Sequence, residues 1–388
     1  MLSFQSSALL AKKLGSLIPA SRIFTDPLYT LAKGTDASFY RLVPAIVVRA
    51  ESEEEVIHII RCSAESGFPL TFKAGGTSLS GQAISDSVLV ETGDGFSGFR
   101  ATGDGTEVSL QCGITGGLAN LRLSRYGRRI GPDPASINSA KIGGIVSNNA
   151  SGGAFGITRN SYNTLRGIRI ILADGTILDT RDPDSRMAFS HSHAGMLQEL
   201  QMLSSQVRSD QVLAGRIRHK FELKNTCGYG VNALLDFTDP IDMISHLMVG
   251  AEGTLGFISE VSLATVVEYP LKATSLVFFP TLRDACEVVG RLKDCPVAAA
   301  ELMDRNALRS VQENPGMPEV LKTLEDETTA LLIDTSAHTR ELLDIQVDQI
   351  LKVFSEVHTV YPVQFTTDPA VYEKLWKVRK GLFTSAAA

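Results

Sequence analysis

The chain has 388 residues, of which 44% are apolar, and carries 37 basic against 43 acidic side chains, a formal charge of −6. Length and apolar content exclude a single small module, a disordered chain and coiled-coil or collagen-like fibres, and they predict two globular domains. The acidic balance and the lack of a basic stripe exclude nucleic acid as an expected partner.

Cysteine usage and the N-terminal segment predict a reducing compartment. Five cysteines in a chain of this length are too few for a disulfide scaffold, and they include no C-x-x-C pair. The stretch 9–18 carries Lys12 and Lys13 among its apolar residues, unlike a signal peptide. Because no run of 18 apolar residues occurs, we expect a cytoplasmic protein without a transmembrane segment. Peripheral attachment to the cytoplasmic membrane stays open.

The first 91 residues predict a compact α/β unit behind an amphipathic N-terminal segment. Ser52 and Glu55 have the spacing of a capping box, so a helix is expected to begin there, with Val56, Ile59 and Ile60 on its apolar face. Strands are predicted at 44–49, 70–74 and 87–91. A loop of small residues, 75–82, follows the second of these strands.

The middle of the chain alternates predicted hairpins with segments of small residues. Asp104-Gly105 and Asp174-Gly175 lie between β-like runs and predict two antiparallel hairpin turns. Residues 131–136 and 142–153 are too rich in proline, glycine and polar residues to fill a core, so we interpret them as backbone that lines a ligand. A third cluster, 250–256, lies between a predicted helix at 243–249 and a predicted strand at 257–267.

A domain boundary is predicted near residue 270, where the glycine clusters stop. Beyond it we expect strands at 275–279, 297–301, 330–334 and 357–365, and helices at 282–292, 305–312, 339–354 and 369 to about 383. Because the chain ends on a helix without a closing strand, it is expected to be the N-terminal part of a longer protein.

Two glycine motifs lack the context that nucleotide binding needs. Gly93–Gly98 satisfies G-x-G-x-x-G, but the residues after it cannot begin a helix, so we reject a dinucleotide fold there. Gly76–Gly81 starts like a P-loop, but Gln82 and Ala83 replace the required Lys and Ser/Thr. Main-chain amides alone could still hold a diphosphate in this loop. An ordinary surface turn is the alternative.

Three further positions are ambiguous from sequence. His191 and His193 have no carboxylate at ligand spacing, so we expect a polar loop and no metal site. Glu252, flanked by glycines, needs hydrogen-bond donors, which a flavin ring edge or a ribose could provide. Arg379 on the last helix either binds an anion or is solvated beside Lys377 and Lys380.

These segments occur in one order, and the order resembles the FAD-binding domain of the vanillyl-alcohol oxidase / p-cresol methylhydroxylase superfamily. Residues 26–41 and 73–82 look most like bacterial FAD and iron–sulfur D-lactate dehydrogenases, relatives of glycolate oxidase and D-2-hydroxyglutarate dehydrogenase. Residues 300–305 resemble the family's substrate-capping domain. The resemblance implies an α+β fold: a two-subdomain FAD-binding domain (36–271) after an N-terminal helical segment (1–35), then an incomplete ferredoxin-like antiparallel-sheet cap domain (272–388).

The resemblance also implies which residues hold non-covalent FAD, since none of the matched loops contains a histidine for covalent attachment. The implied cofactor-binding residues are Gly75, Gly76, Thr77, Ser78, Leu79, Gly81, Gln82, Pro132, Asp133, Pro134, Ser136, Gly143, Gly144, Asn148, Ser151, Gly152, Glu252, Gly253 and Ile258. Arg379 matches the family's arginine for the substrate carboxylate and is the implied catalytic residue.

The implied reaction is oxidation of a D-2-hydroxy acid, D-lactate to pyruvate, with electrons passing from the flavin to a downstream acceptor. That acceptor is an iron–sulfur protein or a missing C-terminal portion. The family's His-x-Gly-Asp-x-Asn motif and its iron–sulfur cysteine runs have no counterpart here. Two alternatives therefore stay open: a flavin-binding but inactive fragment, and a non-flavin sugar-nucleotide or scaffold protein.

Overall fold

The structure is a computed structural model that describes residues 4–152, 156–226 and 228–385. Its contacts divide the chain into an N-terminal unit, residues 4–151 and 157–266, and a C-terminal unit, residues 267–385 with 152 and 156. Within the described ranges, every helix is too short or too polar to cross a lipid bilayer.

The N-terminal unit contains eleven described helices and ten described strands. The helices are α1 (Phe4–Leu14), α2 (Pro27–Lys33), α3 (Glu53–Ser66), α4 (Gly116–Leu123), α5 (Ile142–Ser147), α6 (Ser161–Thr164), α7 (Pro183–Ser192), α8 (Ala194–Ser209), α9 (Gln211–Phe221), α10 (Ala233–Asp236) and α11 (Pro240–Leu247). The strands are β1 (Ile23–Phe24), β2 (Ile46–Ala50), β3 (Leu70–Lys73), β4 (Val88–Thr92), β5 (Phe99–Ala101), β6 (Glu107–Gln111), β7 (Arg128–Ile130), β8 (Leu165–Ile171), β9 (Ile177–Asp179) and β10 (Phe257–Val267).

The first sheet has the strand order β1-β2-β4-β3, with β2, β4 and β3 parallel. Helix α3 begins where the sequence predicts, because the Ser52 hydroxyl accepts a hydrogen bond from the N–H of Glu55 at 3.2 Å. The Glu55 carboxylate accepts from the N–H of Glu51 at 2.7 Å and pairs with Arg22. Strand β3 lies at one edge of the sheet. Because β3 runs parallel to β4 and β2, the loop that follows it lies at the carboxyl end of all three strands.

The second sheet has the order β5-β6-β10-β8-β9, with β7 also paired to β10. Its pairings along this order are antiparallel, and the turns at Asp104-Gly105 and Asp174-Gly175 connect β5 to β6 and β8 to β9, as predicted. Strand β10 spans the predicted residues and pairs on both sides, which places the end of the 250–256 cluster inside the sheet framework.

The C-terminal unit contains a three-stranded antiparallel sheet with helices on both faces. Its described elements are β11 (Leu271–Phe279), α12 (Leu282–Leu292), β12 (Ala299–Met303), α13 (Arg305–Val311), β13 (Thr329–Ala337), α14 (Arg340–Phe354) and α15 (Pro369–Ser385). The strand order is β11-β13-β12. Leu331 and Ile333 pack against α12 and α14, whereas Leu332 packs with residues of α13 and α15. The fold mixes helices and sheets, as predicted.

The predicted fourth strand at 357–365 does not form. Val360 donates to the carbonyl of Phe278 at 2.8 Å, and Thr366 exchanges two hydrogen bonds with Thr274. Between these contacts the segment advances six residues while β11 advances only four, so it bulges away from the ladder. Pro362 lies in the bulge and has no N–H to donate.

The prediction of a polar loop at His191 and His193 was wrong. His191 lies in α7, and His193 separates α7 from α8. Asp182 caps α7 by accepting from the N–H of Asp184, and Pro183 occupies the first helical position. The polar composition of this helix hid its periodicity, because the single residue it buries is Phe189.

Candidate functional site

A loop of small residues follows β3 at the carboxyl end of the parallel strands. Among the described residues, the main-chain N–H groups of Gly75–Leu79 have no hydrogen-bond acceptor. Gly76 has φ of +64°, a conformation that lets successive N–H groups converge on one point. The loop therefore presents a run of unpaired amides, as an anion-binding loop does.

Hydrogen bonds hold the shape of this loop. The Ser78 hydroxyl donates to Gln82 Oε1 and accepts from the N–H of Ser80 at 3.2 Å. The Gly76 carbonyl accepts from the N–H of Ala37 at 3.0 Å. Gln82 and Ser78 therefore shape the loop from within, and the segment before β2 supports it.

Two lysines border the loop, Lys73 through its side chain and Lys141 through its main chain. Lys73 Nζ donates to the carbonyls of Lys33 at 3.1 Å and Thr35 at 2.6 Å, and burial lowers the pKa of this ammonium group. Lys141 Nζ donates to the Thr92 carbonyl at 2.8 Å, at the end of β4. Both ammonium groups bind main-chain oxygens, so the amides remain the unpaired donors.

The loop lies directly against the segment 139–144. A Cβ at Gly75 would stand 2.5 Å from the Ser139 carbonyl oxygen and 3.2 Å from Lys141 N. A Cβ at Gly144 would stand 3.4 Å from the Cβ of Ala74. Glycine at position 75 is therefore required by close approach of two backbones, and the structure brings two of the predicted ligand segments together.

The proline-rich turn forms the next part of this surface. Pro132 is buried, and the Asp133 carboxylate pairs with Arg129 Nη2 at 2.5 Å. The Ser136 carbonyl accepts from the N–H of Ala140 at 2.8 Å, which closes the turn onto the segment before α5. Asp133 therefore uses its carboxylate on a protein cation.

Part of the segment 142–153 fills the core, contrary to the prediction that its residues are too small and too polar to do so. Residues 142–147 form α5, and Ile142, Ile145 and Val146 are buried in the core of the second sheet. These residues follow the i, i+3, i+4 spacing of one helix face. The Gly143 N–H donates to the Cys112 carbonyl at 3.0 Å, and a Cβ at Gly143 would stand 2.9 Å from Cys112 Cβ. Protein atoms therefore fill the space beside Gly143.

Asn148 and Glu252 meet directly, although 104 residues separate them. Asn148 Nδ2 donates to Glu252 Oε1 at 2.7 Å, and the Glu252 N–H donates to the Ser147 carbonyl at 2.9 Å. Burial raises the pKa of the Glu252 carboxyl, and the Asn148 hydrogen bond opposes that rise. Asn148 therefore supplies the hydrogen-bond donor that Glu252 needs, in place of the flavin or ribose predicted from the sequence.

The remaining predicted cofactor residues lie in different surroundings. Ser151 is half-buried, and no atom lies within 4 Å of a Cβ built at Gly253. Gly152 is grouped with the C-terminal unit, and residues 153–155 lie outside the described residues. Ile258 is 5% exposed, pairs with Ile170 in the second sheet and contributes its side chain to the core.

We expect Glu252→Gln to raise the melting temperature at pH 8 and to leave it unchanged at pH 4. The raised pKa means that ionising Glu252 costs folded-state stability as pH rises through that pKa, whereas Gln keeps an acceptor for Asn148 and stays neutral. Thermal melts at both pH values measure this. As control, Asn148→Ala should lower the melting temperature at pH 8, and equal melts for all three proteins would refute this account of the pair.

Arg379, the predicted catalytic residue, lies on α15 in the C-terminal unit and is one-third exposed. Its Nε donates to Glu301 Oε2 at 2.7 Å, and its two terminal nitrogens make no hydrogen bond within the described residues. Glu301 on β12 was missed as a site residue, because 78 positions separate it from Arg379. The available signal was its two-residue spacing from the apolar Ala299 and Met303, because side chains two residues apart share a strand face and both of these are buried.

The arrangement in the N-terminal unit fits a FAD molecule. A diphosphate needs converging donors, which the unpaired amides of Gly75–Leu79 provide. The loop, the 131–140 turn, α5 and the 250–256 cluster are neighbours in space, because each contacts the next through the contacts described above. Among these segments, the loop with its unpaired amides is the part that suits an anionic cofactor.

Two family models match the chain. Residues 44–181 match the FAD binding domain, and residues 270–388 match the C-terminal domain of FAD linked oxidases. Among curated proteins, D-2-hydroxyglutarate dehydrogenase of Pantoea ananatis is 24% identical over 90% of this chain and 36% of its own length. Mitochondrial D-lactate dehydrogenase [cytochrome] 1 of Saccharomyces cerevisiae is 22% identical over 87% of this chain and 49% of its own length.

Solved structures show the same fold. Alkyldihydroxyacetonephosphate synthase has a TM-score of 0.64 at 13% identity, covering 97% of this chain and 64% of that one. The BBE-like 1 protein of Physcomitrella patens has a TM-score of 0.60 at 12% identity, covering 97% and 65%. The chain thus spans between a third and a half of the length of those curated relatives and about two thirds of these structures.

Proposed function

The chain belongs to the FAD-linked oxidases, and we propose that it takes part in oxidising a D-2-hydroxy acid, with D-lactate to pyruvate as the specific reaction. Its FAD binding domain indicates FAD as the cofactor. The matching D-lactate and D-2-hydroxyglutarate dehydrogenases support the substrate class. Because the chain covers only part of their length, we propose that it contributes the flavin-binding unit and the substrate arginine of such an enzyme.

The observation that carries this proposal is the contact among four separated segments around a run of unpaired amides. We propose that this surface holds FAD non-covalently, since its loops contain no histidine. The loop residues Gly75, Gly76, Thr77, Ser78, Leu79, Gly81 and Gln82 would hold the diphosphate. The residues Pro132, Asp133, Ser136, Gly143, Gly144, Asn148, Ser151, Gly152, Glu252, Gly253 and Ile258 would border the rest of the cofactor, Gly143 and Ile258 through their main chains.

The reaction removes two electrons and two protons from the substrate, leaving C2 as a ketone. Held by the residues named above, FAD would supply the acceptor for a hydride equivalent from C2, and the hydroxyl proton would pass to a general base. Arg379 would bind the substrate carboxylate with its two terminal nitrogens, because Glu301 occupies Nε alone. A downstream acceptor, such as an iron–sulfur protein, would then take the electrons.

The histidine content favours a second candidate, a flavin-binding chain that does not turn over alone. None of the seven histidines occurs in a His-x-Gly-Asp-x-Asn run, so the chain lacks that source of a general base.

The D-2-hydroxyglutarate dehydrogenase relative supports a dicarboxylate as the alternative substrate.

Flavin absorbance of the purified protein tests the proposal. We expect bound FAD, and weak or absent anaerobic bleaching by D-lactate because the base is missing, with none by L-lactate. Rapid bleaching by D-lactate would show that the chain is active alone and would refute the second candidate. Faster bleaching by D-2-hydroxyglutarate than by D-lactate would correct the substrate, and a colourless protein that binds no added FAD would refute the flavin function.

A further inference from the structure

One face of α15 carries three side chains that meet the C-terminal sheet. Tyr372, Trp376 and Arg379 follow the spacing i, i+4, i+7, so they lie along one stripe of the helix. The Tyr372 hydroxyl donates to Asp334 Oδ2 at 3.2 Å, and Arg379 Nε donates to Glu301 Oε2 at 2.7 Å. The helix is therefore anchored to two carboxylates of the sheet.

The strand register puts both carboxylates on the same face of the sheet. Asp334 on β13 lies opposite Ala299, and Glu301 on β12 lies opposite Leu332. Because side chains two residues apart on a strand share a face, Asp334 and Glu301 are diagonal neighbours toward α15. We refer to Asp334, Glu301, Tyr372, Trp376 and Arg379 together as the α15 seam.

The seam contains polar atoms that packing alone does not explain. Asp334 is 7% exposed, and its Oδ1 makes no hydrogen bond within the described residues. The buried Nε1 of Trp376 also lacks a hydrogen bond of ordinary geometry, although the indole lies close enough to Asp334 to favour the ionised carboxylate. A buried carboxylate with one oxygen unpaired costs stability, so an apolar residue at position 334 would favour folding more.

We propose that Asp334 and Glu301 are positioning residues that set the guanidinium of Arg379 for the substrate carboxylate. Glu301 fixes Nε and leaves the two terminal nitrogens available for a bidentate carboxylate. Asp334 holds the first turns of α15 through Tyr372, which sets where Arg379 lies two turns later. This inference rests on the proposed function, in which Arg379 binds the substrate.

The charge state of Asp334 should then influence substrate binding near neutral pH. Burial raises the pKa of Asp334 to about 7, while Lys272 on β11, Tyr372 and Trp376 oppose the rise, and Glu268 adds to it. Lys272 pairs with Glu268 at 2.6 Å, and Glu301 faces the seam from β12. Near that pH, the carboxyl loses its O–H donor and becomes an acceptor alone.

Trp376 is the single tryptophan of the chain, so its fluorescence reports on the seam without any turnover. We expect the emission of the purified protein to change with a midpoint near pH 7. Asp334→Asn should abolish that transition, whereas Asp344→Asn should retain it. Asp344 is a matched control, because it pairs with Arg340 on the exposed side of α14. A transition unchanged in Asp334→Asn would overturn the role of Asp334.

Substrate binding is tested by adding D-lactate to the FAD-loaded protein and following Trp376 emission. We expect Glu301→Ala to raise the apparent Kd for D-lactate about tenfold or more, because the variant loses one charge-assisted hydrogen bond. Glu301→Gln still accepts a hydrogen bond from Arg379 Nε, so its affinity should lie between those of wild type and Glu301→Ala. Tyr372→Phe should weaken binding without removing a charge, and it covers the case in which Asp334→Asn fails to fold.

The outcomes separate the two proposals. Wild-type affinity in Glu301→Ala, Asp334→Asn and Tyr372→Phe would overturn the positioning roles while leaving the proposed function intact. A wild-type protein that holds FAD but shows no saturable response to D-lactate or D-2-hydroxyglutarate would overturn both. Where turnover is measurable, the variants should raise KM and leave kcat within about twofold, since they act on carboxylate binding and not on the reacting carbon.

Discussion

Gly75→Ala is expected to reduce FAD affinity by about a hundredfold or more. The added Cβ would stand 2.5 Å from the Ser139 carbonyl oxygen, well inside van der Waals contact, and that oxygen belongs to backbone that cannot rotate away. The loop must therefore move off the 139–141 segment, and its amides lose their common direction. Equilibrium titration of the apoprotein with FAD, followed by flavin fluorescence, measures the loss.

The matched control for this variant is Gly103→Ala, in the turn between β5 and β6. No atom lies within 4 Å of a Cβ built at Gly103, so FAD affinity should stay at the wild-type value. Apoprotein melts show whether Gly75→Ala is folded. A folded Gly75→Ala protein with wild-type FAD occupancy would show that the loop does not hold the diphosphate.

Asp334→Asn is expected to raise the free energy of unfolding at pH 8 by up to about 4 kcal/mol. This is the free-energy equivalent of raising the pKa of Asp334 from 3.8 to about 7. The folded-state pKa of Asp334 is raised from 3.8 to about 7, so the proton stabilises the folded state fully below pH 3.8. This stabilisation is lost as pH rises to about 7, where the buried carboxyl ionises. Asparagine stays neutral and avoids that loss.

Denaturant unfolding at pH 4 and pH 8 tests this expectation. The difference between Asp334→Asn and wild type should be near zero at pH 4 and largest at pH 8. Asp344→Asn is the control for removing a carboxylate from an exposed ion pair, and it should change the free energy of unfolding by less than about 1 kcal/mol. A destabilised Asp334→Asn at pH 8 would mean that the ionised carboxylate is compensated by its neighbours. With the expected result, the positioning role of Asp334 comes at a cost in stability.

Elements with strong periodicity and clear caps were predictable from sequence. Helix α12 and strand β10 match their predicted residues, and α3 begins after Ser52 as predicted. No helix was predicted at α7–α9, because polar side chains cover most of their surface and few residues of each are buried. The strand expected at 357–365 failed for a tertiary reason, since its register to β11 is broken.

The sequence indicates which segments carry the site residues, but it does not indicate which of these residues pair with one another. Small and polar residues mark Gly75–Leu79 and Glu252 in the sequence alone. The pairing of Asn148 with Glu252 depends on how β10 pairs with β6 and β8, which local sequence does not encode. Likewise, the pairing of Glu301 with Arg379 depends on the register of β12 in the sheet and on the packing of α15 against it. Local chemistry was predictable, and long-range pairing was not.

Helix α1 affects how this flavin-binding module could be transplanted into another protein. The match to the FAD binding domain starts at residue 44, yet Leu10, Leu14 and Ile18 lie upstream and are fully buried in the core of the first sheet. Burying each such side chain stabilises the fold by about 1.5–3 kcal/mol. The net free energy of unfolding of a whole domain is only about 5–15 kcal/mol. We expect a graft cut at the family limit to expose apolar side chains of α3 and aggregate, whereas a graft that begins upstream of Leu10 keeps these side chains covered.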